Sequence, residues 1–239
     1  MTTPPSDVVL EIKGLVLSGD DPETPGLDLV VHAGESVALL GEQQTRLTQI
    51  IRVVGGLESP AAGTVTVEGV DVGTATRQQL LQLRRRVGYV SVSGGLLSNM
   101  TVRENIELAL RYHCRDTGNV SALLAEGGVT EFADSLASII PAEYQKCAAY
   151  VRALGSEPSV VLLEDPAAYL HPEGRATIER IHARLKSART TVLMADDDIE
   201  LASRLATRAI WFSGATITFD GPFTALPTAV ATPGRTKVP

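Results

Sequence analysis

Residues 37–48 read Val-Ala-Leu-Leu-Gly-Glu-Gln-Gln-Thr-Arg-Leu-Thr, which has the frame of a phosphate-binding loop. Such a loop is written G-x-x-x-x-G-K-[ST] between a buried strand and a helix. Backbone amides wrap the phosphates, a lysine adds a full positive charge, and a hydroxyl reaches Mg²⁺. Gly41 and Thr48 occupy the first glycine and hydroxyl positions, whereas Arg46 stands at the second glycine and Leu47 at the lysine. Gln44 adds a side chain where backbone must approach a ligand closely. Arg46 is one residue out of register with the lost lysine and is expected to point elsewhere. Two further carboxylate groups bear on such a site. Glu164 and Asp165 end an apolar run, and Asp196, Asp197 and Asp198 precede a helical pattern. The plainer readings are polar residues at a strand end and an acidic helix start that Asp198 would cap.

Positioning these groups needs strands and helices in alternation. Apolar and alternating runs predict strands over 8–12, 26–31, 37–40, 64–67, 87–91, 160–163, 191–194 and 209–212. Helical spacing is expected after the loop, at 78–85, at 173–186 and at 199–206. The stretch 102–154 is mostly helical, broken near 116–119 and at Gly127-Gly128. This order implies a largely parallel sheet covered by helices, an α/β class. Residues 226–239 are rich in Thr, Pro and Ala, so a flexible tail is expected from 227 onward.

Composition excludes several classes. With 239 residues, 44% hydrophobic and 21% charged, the chain suits a packed globular protein. A net charge of −7 argues against a nucleic-acid partner. The run Arg84-Arg85-Arg86 reads as a solvated face. Cys114 and Cys147 offer no disulfide framework, and the N-terminus lacks the pattern of a secretion signal. A cytoplasmic chain is expected. The histidines share no metal-ligand spacing, and Trp211 and Phe212 read as strand core.

In order, the pieces resemble the nucleotide-binding subunit of ATP-binding cassette (ABC) transporters across essentially the whole chain. Residues 34–41 (Gly-Glu-Ser-Val-Ala-Leu-Leu-Gly) resemble that family's approach to the phosphate loop, and residues 56–63 the turn after its helix. Residues 152–158 and 160–166 resemble the helix after the signature sequence and the Walker B strand. Residues 171–175 resemble the segment after the D-loop. Residues 93–105 with 111–113 resemble the Q-loop region of cassettes that energise Mla- and Mce-type lipid transporters. The resemblance implies one ABC-type domain over residues 1–226. It would join a P-loop NTPase core with a mostly parallel sheet, an N-terminal antiparallel β subdomain and a helical subdomain at about 93–155.

Against that family pattern several positions depart. The Q-loop glutamine falls on Val92, and the Walker B Asp-Glu order is reversed to Glu164-Asp165. The signature sequence falls on residues 140–144, where Pro141 removes an amide donor and Glu143 brings negative charge toward a phosphate. His171 replaces a D-loop aspartate, although a plain surface histidine explains it as well. Asp197 replaces the switch histidine. A carboxylate about 4 Å from a phosphate oxygen would be repelled by on the order of 4 kcal/mol at an effective dielectric near 20. No aromatic residue precedes Tyr89 to stack an adenine.

These departures lead to the expectation of a catalytically degenerate subunit, a pseudo-ATPase that acts as a structural or regulatory partner in a membrane transport complex, with lipid transport as one candidate. No cofactor is then expected, with ATP and Mg²⁺ bound weakly at most. The partners implied are a transmembrane permease subunit, a second ABC ATPase subunit or both, as homodimer or heterodimer, at the cytoplasmic face of the inner membrane. A nucleotide sensor or weak ATPase is the alternative, built on Gly41, Thr48, Glu164 and Asp165.

Overall fold

The computed structural model describes residues 7–227. The expected tail at 228–239 lies outside the described residues. Strands β1 (Val8–Val16), β2 (Leu27–His32), β3 (Ser36–Gly41), β4 (Ala62–Val67), β5 (Val70–Asp71) and β6 (Val87–Val90) fill the first third of the chain. Between them lie helices α1 (Gln44–Val54) and α2 (Arg77–Arg84). Helices α3 (Val102–Tyr112), α4 (Val120–Glu126) and α5 (Ala142–Gly155) follow. Then β7 (Val160–Glu164), α6 (Pro172–Ser187), β8 (Thr191–Ala195), α7 (Ile199–Leu205), β9 (Arg208–Ser213) and β10 (Thr216–Pro222) complete the order.

The strands form two sheets. One is antiparallel, in the order β2-β1-β4-β5. The other has six strands in the order β10-β9-β3-β8-β7-β6, parallel from β9 to β6, with β10 added antiparallel at one edge. Alternating side chains divide the core between the faces of the larger sheet. From β3, Ala38 and Leu40 join the core of α3 to α7, while Val37 and Leu39 face α1 and the antiparallel sheet. The apolar face of α1, with Leu47, Ile50, Ile51 and Val54, is thereby covered by both sheets. Non-alternating apolar runs at 37–40 and 160–163 follow from burial on both faces.

Every predicted strand is present, most of them longer than expected. Two were missed. β5 has two residues, and β10 is an edge strand whose burial alternates between exposed and intermediate. It returns along β9 through a turn at Gly214 (φ +59°). Phe212 is buried and Trp211 packs at the rim of the helical core, as expected. Arg84, Arg85 and Arg86 are exposed, as expected of a solvated face.

The helical region is anchored to the loop that follows β6. Thr101 caps α3 by accepting from the Glu104 N–H, and the Glu104 carboxylate returns to the Thr101 N–H. Thr101→Ala is expected to lower stability by about 1 kcal/mol, read as a shift in the denaturant midpoint. An unchanged midpoint would show that the box is idle.

Candidate functional site

β7 and β8 pair in parallel with Glu164 opposite Ala195, so Asp165 and Asp196 leave the sheet side by side. The Asp165 N–H donates to the Ala195 carbonyl (2.8 Å), and the Asp196 N–H to the Leu39 carbonyl of β3 (3.3 Å). Both carboxylates therefore lie at the carboxyl ends of the parallel strands, next to the strand that leads into Gly41. Ligands of open α/β sheets bind in this crevice. Asp165, Asp196 and Asp197 each offer an oxygen, all within 4.8 Å of one another. Among the described residues, no other three His, Cys, Asp or Glu side chains are so arranged.

The members differ in exposure. Asp165 is half-buried, Asp196 fully buried and Asp197 exposed. Burial, reinforced by the neighbouring aspartates, pushes the Asp196 carboxyl up to about 8 despite a hydrogen bond from the Asp198 N–H to Oδ1 (2.9 Å). Its Oδ2 is shielded from solvent and has no hydrogen-bond partner. Burial and then Asp197 raise Asp165 as well.

One cation faces this cluster from behind. Lys146 of α5 is 0% exposed and donates to the carbonyls of Ser91 (2.9 Å), Val92 (3.1 Å) and Glu164 (2.9 Å). Burial lowers its ammonium to about 8, opposed by the fields of Asp165 and Asp196. Its three donors are all committed to backbone. Sequence pattern alone does not single out Lys146, and Asp196 enters it only as a member of the acidic run 196–198. The apolar run Cys147-Ala-Ala-Tyr-Val next to the lysine was the available hint that α5 is an internal helix.

Glu164, expected among the nucleotide-binding candidates, is held by partners within the protein. It is 0% exposed and accepts from Arg52 Nε (2.6 Å), the Tyr89 hydroxyl and the Val92 N–H (3.2 Å). Burial alone would raise its carboxyl, but these three donors outweigh burial and hold it below the usual carboxylate range. Val92 thus supplies backbone donor and acceptor groups to Glu164 and Lys146.

The loop residues have separate duties. A Cβ at Gly41 would lie 2.6 Å from the Phe212 carbonyl oxygen, so contact with β9 already demands glycine there. Leu47 is 1% exposed in the α1 core, and no charge stands at this position. Arg46 points away, as expected, into an ion pair with Asp20 in which both side chains are largely shielded. The Gln44 amide has both polar atoms shielded without a partner. Thr48 is 9% exposed on α1, whose N-terminus carries no side-chain cap. Free N–H groups there suit an anion.

Pro141, Glu143 and His171 form a separate groove between the starts of α5 and α6, together with Tyr144 and Arg175. Glu143 Oε1 accepts from the N–H groups of His171 (3.0 Å) and Gly174 (3.2 Å), so its charge ties α5 to α6. Asp198 caps α7 by accepting from the Leu201 N–H (2.9 Å), as the plainer reading expected, and it also pairs with Arg175.

The twisted parallel sheet, the loop after β3 and the strand-end carboxylates define the class of P-loop nucleotide-binding folds. A family model described as "ABC transporter" matches residues 25–168, and the chain belongs to that family. It is 29% identical over 212 residues to the methionine import ATP-binding protein MetN of Mesorhizobium japonicum. That match covers 85% of this chain and 57% of the relative, so the chain spans little more than half the relative's length. The L-cystine transport system ATP-binding protein TcyN of Escherichia coli is 30% identical, covering 84% of both chains. A dimeric structure of the ATP-binding cassette MJ0796 in a post-hydrolysis state, bound to ADP and Pi, superposes with a TM-score of 0.81 at 20% identity. It covers 90% of this chain and 98% of that one, and confirms the ABC-type fold with its antiparallel sheet and helical part.

These findings correct four expectations. Relatives named as ATP-binding proteins of import systems overturn the reading of a catalytically silent, structural or regulatory subunit. They equally overturn the expectation of a pseudo-ATPase and that of no cofactor. The relatives' names speak of methionine and L-cystine import, which overturns the lipid-transport branch. The repulsion assigned to Asp197 assumed a bare carboxylate facing phosphate. In the structure Asp165 and Asp196 stand beside it, each offering an oxygen within 4.8 Å of the others.

Proposed function

We propose that this chain is the ATP-binding subunit of an import system for a small polar solute of the amino-acid class. It would bind Mg-ATP at the carboxyl ends of β3, β7 and β8 and work on the cytoplasmic face of a membrane. Its partners would be a transmembrane permease and a second cassette subunit. Among the described residues, no helix is long and apolar enough to cross a membrane itself. The relatives' names and the family match support the activity, and the observation that carries it is the cluster of Asp165, Asp196 and Asp197 beside the β3 loop.

The residues fit a hard divalent cation. They offer oxygen donors, one of them buried and unsatisfied, with an open side at Asp197. The Gly41 loop, the uncapped start of α1, the unpartnered Gln44 amide and Thr48 would receive the phosphates. When bound, the cation would neutralise phosphate charge, a duty that Leu47 leaves without a side chain.

Calorimetric titration of the purified chain with ATP tests the reading. Saturable micromolar binding is expected with Mg²⁺, weakened at least tenfold by a chelator. Asp165→Asn and Asp197→Asn are each expected to abolish the Mg²⁺ dependence. Failure to saturate at millimolar Mg-ATP would overturn the proposal.

A further inference from the structure

We infer that Arg46, which stands where the phosphate-loop pattern has its second glycine, is an anion-binding side chain of this loop. Asp20 holds its guanidinium until a polyphosphate displaces the carboxylate. The inference rests on the nucleotide reading above and deepens it, because it names the residue that supplies the charge missing at Leu47.

The state of the guanidinium carries it. Arg46 is 8% exposed, and its Nη1 donates to Asp20 Oδ1. Its Nε and Nη2 are sealed from solvent without a partner. Asp20 cannot complete the match, because its Oδ2 already accepts from the Leu17 N–H (2.8 Å). A guanidinium presents a fork suited to two oxygens of one anion, and sealed donors left unpaired are costly. A phosphate group offers the additional oxygens. On the same first turn of α1 the Gln44 amide is also shielded without a partner, and no side chain caps the helix start. Arg46 is the only cationic residue in the stretch 41–49.

The contact is placed where it can open. Asp20 belongs to the turn after β1, in which Ser18, Gly19, Asp21, Pro22 and Glu23 are exposed. Side chains of α1 reach this turn through Arg46 on Asp20 and through Gln49 Nε2 on the Ser18 carbonyl (3.2 Å). Exchange of the carboxylate for phosphate keeps the guanidinium paired, which avoids the penalty of an uncompensated buried charge. Asp20 then moves with an exposed segment into water. It thereby lowers the apparent affinity, since only the fraction of molecules with Arg46 released binds at full strength.

The test is calorimetric titration of the full chain with Mg-ATP and with Mg-tripolyphosphate, which has no nucleoside. Arg46→Gln is expected to weaken both ligands by about tenfold, and Arg46→Lys to recover part of the loss. Asp20→Asn, whose amide oxygen can still accept from the Leu17 N–H, is expected to tighten both by about threefold. The opposite signs separate this role from a plain staple, because loss of either partner of a staple would act in the same direction. Circular dichroism first establishes that each variant is folded. Unchanged affinity in Arg46→Gln, or affinity unchanged or lowered in Asp20→Asn, would sink the inference. The two proposals fail separately. Mg-ATP binding that ignores both substitutions removes only this one. Tripolyphosphate binding with the expected signs, without saturation by Mg-ATP, removes only the nucleotide reading.

Discussion

Exchange of Lys146 for methionine is expected to lower the unfolding free energy by about 3 kcal/mol at neutral pH. Methionine fills a similar volume without charge, so the loss reports the ammonium and not a cavity. Three charge-assisted hydrogen bonds to the carbonyls of Ser91, Val92 and Glu164 disappear, each worth roughly 1.5–3 kcal/mol. Relief of the desolvation cost offsets part of that sum. The carbonyls lie where β6 runs into the following loop and where β7 ends, so α5 loses its tie to the sheet at that point. A pH signature separates this cause from simple repacking. The folded ammonium, lowered to about 8, releases its proton before the unfolded one does, so between about pH 8 and 10 the unfolded state binds more protons. The wild-type stability contribution of this group therefore rises across that window, and the methionine variant lacks the rise. Urea denaturation at pH 7 and pH 9.5 reads both effects. A midpoint that stays constant or increases on substitution would refute the anchoring role.

How far the sequence revealed the site depended on whether a residue's partners were near in the chain. β3, β7 and β8 were legible because runs such as 160–163 are uniformly apolar, and the turns between elements carry Gly and Pro. The cap at Asp198 was legible because its acceptor role is local. Arg46 was placed away from the loop by register alone, although its partner Asp20 could not be named. Asp196 could not be told from its neighbours because Asp196, Asp197 and Asp198 look alike in sequence. Only the pairing of β8 with β7 and β3 buries the first, exposes the second and turns the third to α7. Lys146 was illegible for a related reason, since its three acceptors lie 18 to 55 residues away. The partners of Glu164 were illegible because a carboxylate at a strand end looks equally available in sequence whether or not an arginine 112 positions earlier already holds it.

Loss of that arginine should be the second-largest effect. Arg52→Ala is expected to cost about 2 kcal/mol at pH 7. This is below the range for a fully buried pair because the Arg52 side chain is 44% exposed and partly screened, against 1% for Glu164. The variant leaves the Glu164 carboxylate buried with only the Tyr89 hydroxyl and the Val92 N–H as donors. The sign with pH follows from the lowered carboxyl. Its folded pKa lies below the unfolded value near 4.5, so its stabilising contribution is present above that value and is lost as pH falls through the folded pKa. The gap between wild type and Arg52→Ala should therefore narrow on acidification, and Glu164→Gln should flatten the acid limb of the wild-type curve. Adding Glu164→Gln to Arg52→Ala should recover part of the loss, because an uncharged amide tolerates burial without the guanidinium. The functional consequence discriminates between the two neighbouring carboxylates. If Glu164 serves the fold and Asp165 the cation, the Arg52→Ala/Glu164→Gln protein keeps its Mg-ATP affinity within a few-fold, while Asp165→Asn loses the Mg²⁺ dependence with little change in stability. Loss of Mg-ATP affinity in the double variant, measured where it remains folded, would return Glu164 to the site.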